Sequence, residues 1–454
     1  MEELVSIDAL DDDGRGVGRR GGLEVHVAGA LPGETVRARI AHRSPHAPRA
    51  WADLLGLAGP PADERVVPAC PAHGSCGGCT LQHLAYPAQL TAKRQLIERS
   101  LAEHPSTAGL EVADVIASAH EIHYRNKAKY VVGEGPGAGL IFGSYAPGSH
   151  RVVDMAGCQV PEDPIDEVAH HLRRLLETER LAAFDERART GELRYVIVRR
   201  NAGGELLVVI VAASTRAAPA LARAARSLVG AAPAVRGVVL HVNDARSGAI
   251  FDADAPSDTI LAGTDVLAET VGDVRLELSA RAFFQINRQA AARLYAQVAA
   301  LAGARSGLHA IDLYSGVGGI ALLLAGRGAE VVGVEALAAA VSSARHSAET
   351  ARLSQRARFL AADAAEGLPA AHALLGTVDV LVVNPPRKGL SDDARAAIRG
   401  AAPPRIIYVS CGPRSLAGDL AGLIADGYRV SVVQPFDLLP GTPHVETVVQ
   451  LDFA

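Results

Sequence analysis

Residues 309–319 read HAIDLYSGVGG and run on into the apolar stretch GIALLLAGRG. A short apolar run that breaks into a glycine turn and resumes at helical length reads as strand, turn and helix. The pattern then repeats. AEVVGVEA, ARFLAAD, VDVLVVNPP and RIIYVSC have strand character, and segments such as AVSSARHSAETARL between them have helix character. Strands alternating with helices predict a doubly wound, mostly parallel α/β sheet. The last two strands, YRVSVVQPF and HVETVVQLDF, have no helix between them. They are expected as an antiparallel pair at one edge.

Upstream the pattern changes. Residues 1–62 carry short apolar runs (VSIDAL, LEVHVAGAL, ETVRARIA) separated by glycine-rich turns, which predict a small OB-like all-β barrel. Residues 63–265 hold a cysteine-rich loop, a predicted helix TAKRQLIERSLAEH and strands LRYVIVRR, ELLVVIVAA and VRGVVLHVN, a β-rich α+β pattern. The chain therefore divides into 1–62, 63–265 and a Rossmann-like 266–454.

Composition narrows the class. With 49% hydrophobic and 21% charged residues, the 454-residue chain is globular rather than disordered. Its longest apolar run, LLVVIVAA, is far below the roughly 20 residues of a membrane span and reads as a buried strand. The segment MEELVSIDALDDDG lacks a basic start followed by an apolar run, so secretion is not expected. Five cysteines make no disulfide framework at this length, and a cytoplasmic location is expected. The 45 basic and 50 acidic residues leave a net charge of −5, so any nucleic-acid contact must rest on local charge. One candidate is HYRNKAKY, where Arg125, Lys127 and Lys129 share a face if the segment is a strand. The plainer reading is a solvated strand face.

In a doubly wound sheet, ligands sit at the carboxyl ends of the strands. The glycine turn lies there, with Glu335 placed 19 residues beyond Gly316 to accept from ribose hydroxyls. Asp363 ends the third strand and Asn384, in NPPR, the fourth. The glycines alone fit NAD nearly as well. However, Ala321 stands where a dinucleotide fingerprint wants its third glycine, and the rigid NPPR turn favours S-adenosylmethionine (SAM). Cys411 ends the fifth strand at the start of a helix, where the helix N-terminus favours thiolate. It is a candidate nucleophile, against the ordinary reading of a small buried side chain. Glu446 is an acid in an otherwise apolar edge strand, either a base or a solvent-facing residue. Cys70, Cys76 and Cys79 form C-x5-C-x2-C in VVPACPAHGSCGGCTLQHLAYP, which suits an iron–sulfur cluster or structural Zn²⁺.

Taken together, GRGVGR, ALPGETVRARI, the cysteine loop, HYRNKAKY, GSHRVVDMAGCQVP, FFQIN, DLYSGVGG, NPPRKG, YVSCGP and TPHVET resemble the bacterial RNA uracil-5 methyltransferase family. The resemblance is specifically to its iron–sulfur 23S rRNA enzymes and runs almost end to end. It implies a TRAM domain for the first barrel and a SAM-dependent methyltransferase domain for the last third. It supplies Cys158 as the fourth ligand of a [4Fe–4S] cluster with Cys70, Cys76 and Cys79, a structural tie. It implies that Cys411 attacks uracil C6, that C5 takes the methyl of SAM, and that Glu446 removes the C5 proton. Its SAM contacts map onto Gln285, Tyr314, Gly319, Glu335, Asp363 and Asn384. Phe283 would pack on a target uracil flipped out of its stack. Two positions depart from the family: Asn384 replaces its usual Asp and cannot serve as a base, and Gly319 stands where some relatives carry Asn. The implied partner is RNA, ribosomal rather than transfer RNA, bound by a monomer with no membrane association. A non-catalytic iron–sulfur RNA-binding protein and a Rossmann oxidoreductase are the rival classes. Intact Cys411 and Glu446 argue against the first, and NPPR against the second.

Overall fold

The computed structural model describes residues 2–135, 137, 139–245, 250–251 and 258–454. The first five strands are β1 (Glu2–Leu10), β2 (Gly16–Arg20), β3 (Leu23–Val27), β4 (Thr35–Arg43) and β5 (Arg49–Leu57). They close into a barrel in the order β1-β2-β3-β5-β4. Alternating residues Val5, Ile7, Val25, Val27, Val36 and Ala38 fill its interior. Where β2 crosses β1 only glycine fits, because a Cβ on Gly18 would lie 1.9 Å from the Ser6 carbonyl oxygen.

The barrel leads through the cysteine loop into helix α1 (Tyr86–Ala102). The helix begins before the predicted TAKRQL stretch because Pro87 occupies its first turn, where a missing N–H costs nothing. Ile97 and Leu101 of α1 pack into the same apolar cluster as Leu416 and Leu420 from the C-terminal third.

A mixed seven-stranded sheet follows. It comprises β6 (Lys127–Glu134), β7 (Leu140–Tyr145), β8 (Val152–Asp154), β9 (Leu193–Arg200), β10 (Leu206–Ala212), β11 (Val235–Val242) and β12 (Thr259–Gly263), in the order β12-β11-β10-β9-β6-β7-β8. Helices α2 (Asp163–Thr178) and α3 (Ala218–Ala231) cover one face through Leu172, Leu176, Leu221 and Leu228. The run LLVVIVA of β10 is buried throughout because its other face packs on Leu267 and Ala280.

A hairpin of β13 (Val266–Val271) and β14 (Val274–Ser279) precedes α4 (Arg288–Leu301) and the final sheet. That sheet holds β15 (His309–Leu313), β16 (Glu330–Glu335), β17 (Ala357–Ala361), β18 (Val380–Val383), β19 (Arg405–Ser410), β20 (Tyr428–Phe436) and β21 (Glu446–Phe453). Between them run α5 (Gly319–Gly326), α6 (Ala338–Thr350), α7 (Ala364–Leu375), α8 (Asp392–Ala401) and α9 (Pro413–Ala425). The order is β17-β16-β15-β18-β19-β21-β20, parallel except for the two pairings of β21. Successive residues take opposite faces: Ala310, Val331 and Val382 lie in one cluster, Ile311, Val332 and Val383 in the other. The antiparallel pair is as expected, but only β20 is at the edge. β21 lies between β19 and β20, which removes Glu446 from any solvent-facing edge strand. No helix among the described residues is long and apolar enough to cross a membrane.

Candidate active site

The strand order reverses between β15 and β18, and the loops at the carboxyl ends of these strands and their neighbours carry most of the expected residues. Tyr314, the first residue past β15, takes φ +61°, a left-handed conformation costly outside glycine. Gly316 (φ +55°) and Gly318 (φ +85°) complete the turn, and Gly318 caps α5. Gly319 opens α5 and is buried, where a Cβ would lie 2.8 Å from the Tyr295 hydroxyl. Packing alone therefore excludes the Asn of some relatives. Glu335 ends β16 and holds the turn in place: its Oε2 accepts from the Gly316 N–H (3.0 Å) and its Oε1 from the Leu337 N–H (2.9 Å). The 19-residue spacing read from the sequence is thus realised as a contact to backbone.

Asp312, one turn beneath, is buried, and its Oδ2 accepts from the Ala321 N–H at 3.1 Å. Burial, with the nearby Glu335 carboxylate, pushes its pKa up to about 7. Its Oδ1 and the Ser315 hydroxyl are buried without a partner, so polar capacity remains at the turn. Asp363 caps α7, its Oδ1 accepting from the N–H groups of Ala365 (2.8 Å) and Glu366 (3.0 Å). Tyr314 lies close enough to Asp363 and Asp419 for both to raise its pKa, after the larger effect of burial. Asn384 is half-buried at the end of β18, its N–H donating to the Leu313 carbonyl at 3.3 Å. Gln285 arrives from the segment before α4, its carbonyl accepting from Asn126 Nδ2 at 3.2 Å. Sequence reasoning passed over Leu337, an apolar side chain 67% exposed beside Glu335.

Cys411 and Glu446 come together through the β19–β21 ladder. Ser410 pairs with Thr447, so the next step places Cys411 opposite Glu446. Burial raises the Cys411 pKa and the Glu446 carboxylate adds to the rise; Arg387 opposes both, by charge and by a hydrogen bond to the thiol. Burial thus works against the thiolate expected at the start of α9. The cation that favours thiolate is Arg387, present in the NPPR motif but not singled out from the sequence. Burial likewise pushes Glu446 up to about 7, against the pull of Arg387. The loop carrying Arg387 is fixed from α9. The Ser415 hydroxyl donates to the Arg387 carbonyl (2.8 Å), and Asp419 accepts from the Leu390 N–H (2.8 Å) and the Tyr408 hydroxyl (2.6 Å).

Phe283 is 78% exposed, on the loop between β14 and α4. Arg199, buried on β9, donates to the Ala282 carbonyl and ties that loop to the central sheet. Lys127 faces Arg199 across the β6–β9 ladder. Burial, with Arg199 and Lys129 nearby, lowers the Lys127 pKa to about 7. Burial also lowers that of Lys129. Arg125 does not share their strand. It precedes β6, bridges to Pro161, and its guanidinium lies 5.9 Å from the Tyr124 ring centroid and near Cys79.

The four remaining cysteines are free and half-buried. Cys70, Cys76 and Cys158 are near enough to Cys79 to help burial push its pKa up to about 11, against Arg125. They do not converge to ligand geometry: among the described residues, no group of three or more His, Cys, Asp or Glu is set to hold a metal ion. The Cys76 sulfur instead accepts from the Gly78 N–H at 3.4 Å.

Residues 260–453 match the model of a family described as tRNA (uracil-5-)-methyltransferase. An RNA methyltransferase of Geobacter sulfurreducens is 35% identical over 98% of this chain and 89% of its own length. One from Halalkalibacterium halodurans is 33% identical over 99% and 96%. Among solved structures, the Pyrococcus abyssi tRNA (uracil-54, C5)-methyltransferase in complex with S-adenosyl-L-homocysteine superposes with a TM-score of 0.78 at 27% identity, covering 99% of each chain.

Proposed function

The chain belongs to the tRNA (uracil-5-)-methyltransferase family of SAM-dependent RNA methyltransferases, and from that premise we propose that it makes 5-methyluridine in RNA with Cys411 as nucleophile and Glu446 as base. The placing of Cys411 just past β19 opposite Glu446 at the start of β21, with Arg387 from the loop after β18 beside both, supports this reading. Uracil C5 is a weak nucleophile. The Cys411 thiolate, favoured by Arg387, adds to C6 and makes C5 enolate-like. SAM supplies the electrophilic methyl group that C5 takes. Glu446 then accepts the C5 proton, and elimination across C5–C6 frees the thiol. Gln285, Tyr314, Gly319, Glu335, Asp363 and Asn384 are the proposed SAM-binding residues, with Gly319 contributing backbone only. Phe283 is proposed to stack on the flipped uracil, and Arg125, Lys127 and Lys129 to meet RNA.

The two catalytic roles fail differently when removed. Cys411→Ala should abolish both methyl transfer and the covalent RNA adduct. Glu446→Gln should permit addition and methylation but stall elimination, so that a methylated protein–RNA adduct survives denaturing electrophoresis. Methylation by Cys411→Ala would falsify the thiol mechanism, and normal turnover by Glu446→Gln would remove Glu446 as the base.

The proposed target is 23S rRNA, on the resemblance to the iron–sulfur enzymes, in a cytoplasmic monomer. The tRNA T-loop is the second reading, favoured by the likeness to the Pyrococcus abyssi enzyme. Mapping 5-methyluridine in both RNAs, with and without the gene, separates them. Cys70, Cys76, Cys79 and Cys158 are the proposed donor set of a [4Fe–4S] cluster, on the resemblance to the iron–sulfur enzymes and because four thiols match its ligand need. A bound cluster would tie residues 80–157 into a closed loop. The first barrel is proposed as a TRAM domain.

A further inference from the structure

The nine residues 437–445 that join β20 to β21 do not turn back as a tight hairpin. They reach out to the cysteine-loop arm and α1, and several of their polar groups are held from there. Lys93 of α1 and Asp437 form an ion pair at 2.5 Å with both side chains fully buried, 344 residues apart in sequence. The same ammonium donates to the Leu439 carbonyl (3.1 Å), while Asp437 Oδ1 accepts from the Leu439 N–H (3.0 Å). The turn is folded around one buried ion pair. Two residues on, Gly441 (φ +76°) is gripped from both sides: its N–H donates to Gln89 Oε1 (2.9 Å) and its carbonyl accepts from the Leu81 N–H (2.8 Å). The Tyr124 hydroxyl donates to the Pro440 carbonyl (3.1 Å) and Asn287 Nδ2 to that of Leu438 (3.1 Å). Gly441 also lies against Cys79, where an added Cβ would be 3.9 Å from the sulfur.

A buried ion pair is a weak source of stability, since an apolar pair of similar volume commonly does as well. What it does supply is a fixed geometry. The connection it fixes ends on Glu446, at the first rung of β21 where the ladder gives least support. We infer that Lys93 and Asp437 are positioning residues for Glu446, clamping the 437–445 connection so that the cysteine-loop arm and α1 set where the base stands over the reacting carbon. This rests on the proposed role of Glu446 and deepens it. The carboxylate must reach one proton at one step, whereas Cys411 and the proposed cofactor residues Tyr314, Gly319, Glu335, Asp363 and Asn384 stand on or beside β15–β19 and make no hydrogen bond to Lys93 or Asp437.

The test uses the full chain with the double variant Lys93→Met/Asp437→Leu, which removes the clamp without stranding a charge, and Gln89→Leu as an independent cut at Gly441. With a folded protein and SAM affinity by calorimetry equal to wild type, kcat should fall about 10- to 100-fold, the loss typical of a displaced catalytic group. The methylated protein–RNA adduct should accumulate as it does in Glu446→Gln. Wild-type kcat and adduct level in both folded variants would overturn the inference. So would a fall in kcat matched by a fall in SAM affinity with no adduct, which is the signature of general destabilisation. Should the double variant not fold, Gln89→Leu decides alone by the same readings. Wild type run alongside with RNA carrying 5-fluorouridine separates the two levels. If it forms no adduct, the proposed function fails; if it does and the variants keep wild-type kcat on uridine-containing RNA, only the clamp fails.

Discussion

At the scale of single residues, the site rests on a contest between burial and one arginine. Arg387 is the group that pulls both Cys411 and Glu446 toward their charged forms, and burial opposes it at each. Arg387→Met should therefore shift the pH midpoint of Cys411 alkylation upward and slow adduct formation about 10- to 100-fold, the weight of a lost electrostatic partner. An unshifted alkylation profile would remove Arg387 from the thiol's environment. For Glu446, with its pKa raised to about 7, only the carboxylate can accept a proton, so kcat should climb with pH through about 7. The same shift has a stability consequence. A group whose folded pKa exceeds its unfolded value favours folding below the unfolded pKa and loses that contribution as pH rises through the folded one. Glu446→Gln should thus stabilise the fold by on the order of 1–3 kcal/mol at pH 8 and scarcely at pH 4, read from Tm at both pH values. Cys411 and Glu446 were legible in the sequence because each is an odd residue in a strand-end context. Arg387 was not singled out, since its partners lie 24 and 59 residues away in sequence.

At the scale of elements, the sequence disclosed the α/β alternation and the first barrel because both depend on local periodicity, as HAIDLYSGVGG and LEVHVAGAL show. It did not disclose that β21 inserts between β19 and β20, which depends on pairing between distant segments. Nor could spacing show that Arg125 stops short of β6, because the segment's i, i+2, i+4 pattern reads the same whether or not its first residue joins the ladder. Asp363 shows how a ligand candidate can also be a structural part. It caps α7 through two backbone N–H groups, so Asp363→Ala should cost about 1 kcal/mol of stability whatever its role toward SAM. Asp363→Ser keeps the cap and removes the carboxylate. If SAM affinity falls in the Ser variant while Tm holds, the carboxylate meets the cofactor; if only the Ala variant loses affinity, Asp363 is a cap.

At the scale of the whole molecule, the barrel, the cysteine loop and the catalytic sheet are stitched at several points: Asp12 pairs with Arg414 (2.7 Å), the Thr80 hydroxyl donates to the Asp13 carbonyl (3.2 Å) and Arg99 to that of Leu10 (3.0 Å). The cluster assignment belongs to this scale, because its four cysteines span two segments that only the folded chain brings near. Protein purified without oxygen should be brown and carry about four irons per chain, with loss of metal and solubility together in Cys158→Ala and neither in Cys411→Ala. Stoichiometric zinc in a colourless preparation would replace the cluster by the structural-zinc alternative. The placement of β21 has one more consequence, which concerns the order in which the chain is made. The strand synthesised last of the seven must enter between two made before it, and it carries Glu446, the proposed base, on its first residue. Until the ribosome releases that segment, β19 has an open flank and Cys411 stands without Glu446 opposite it. If Cys411 and Glu446 act as proposed, turnover therefore waits on completion of the sheet.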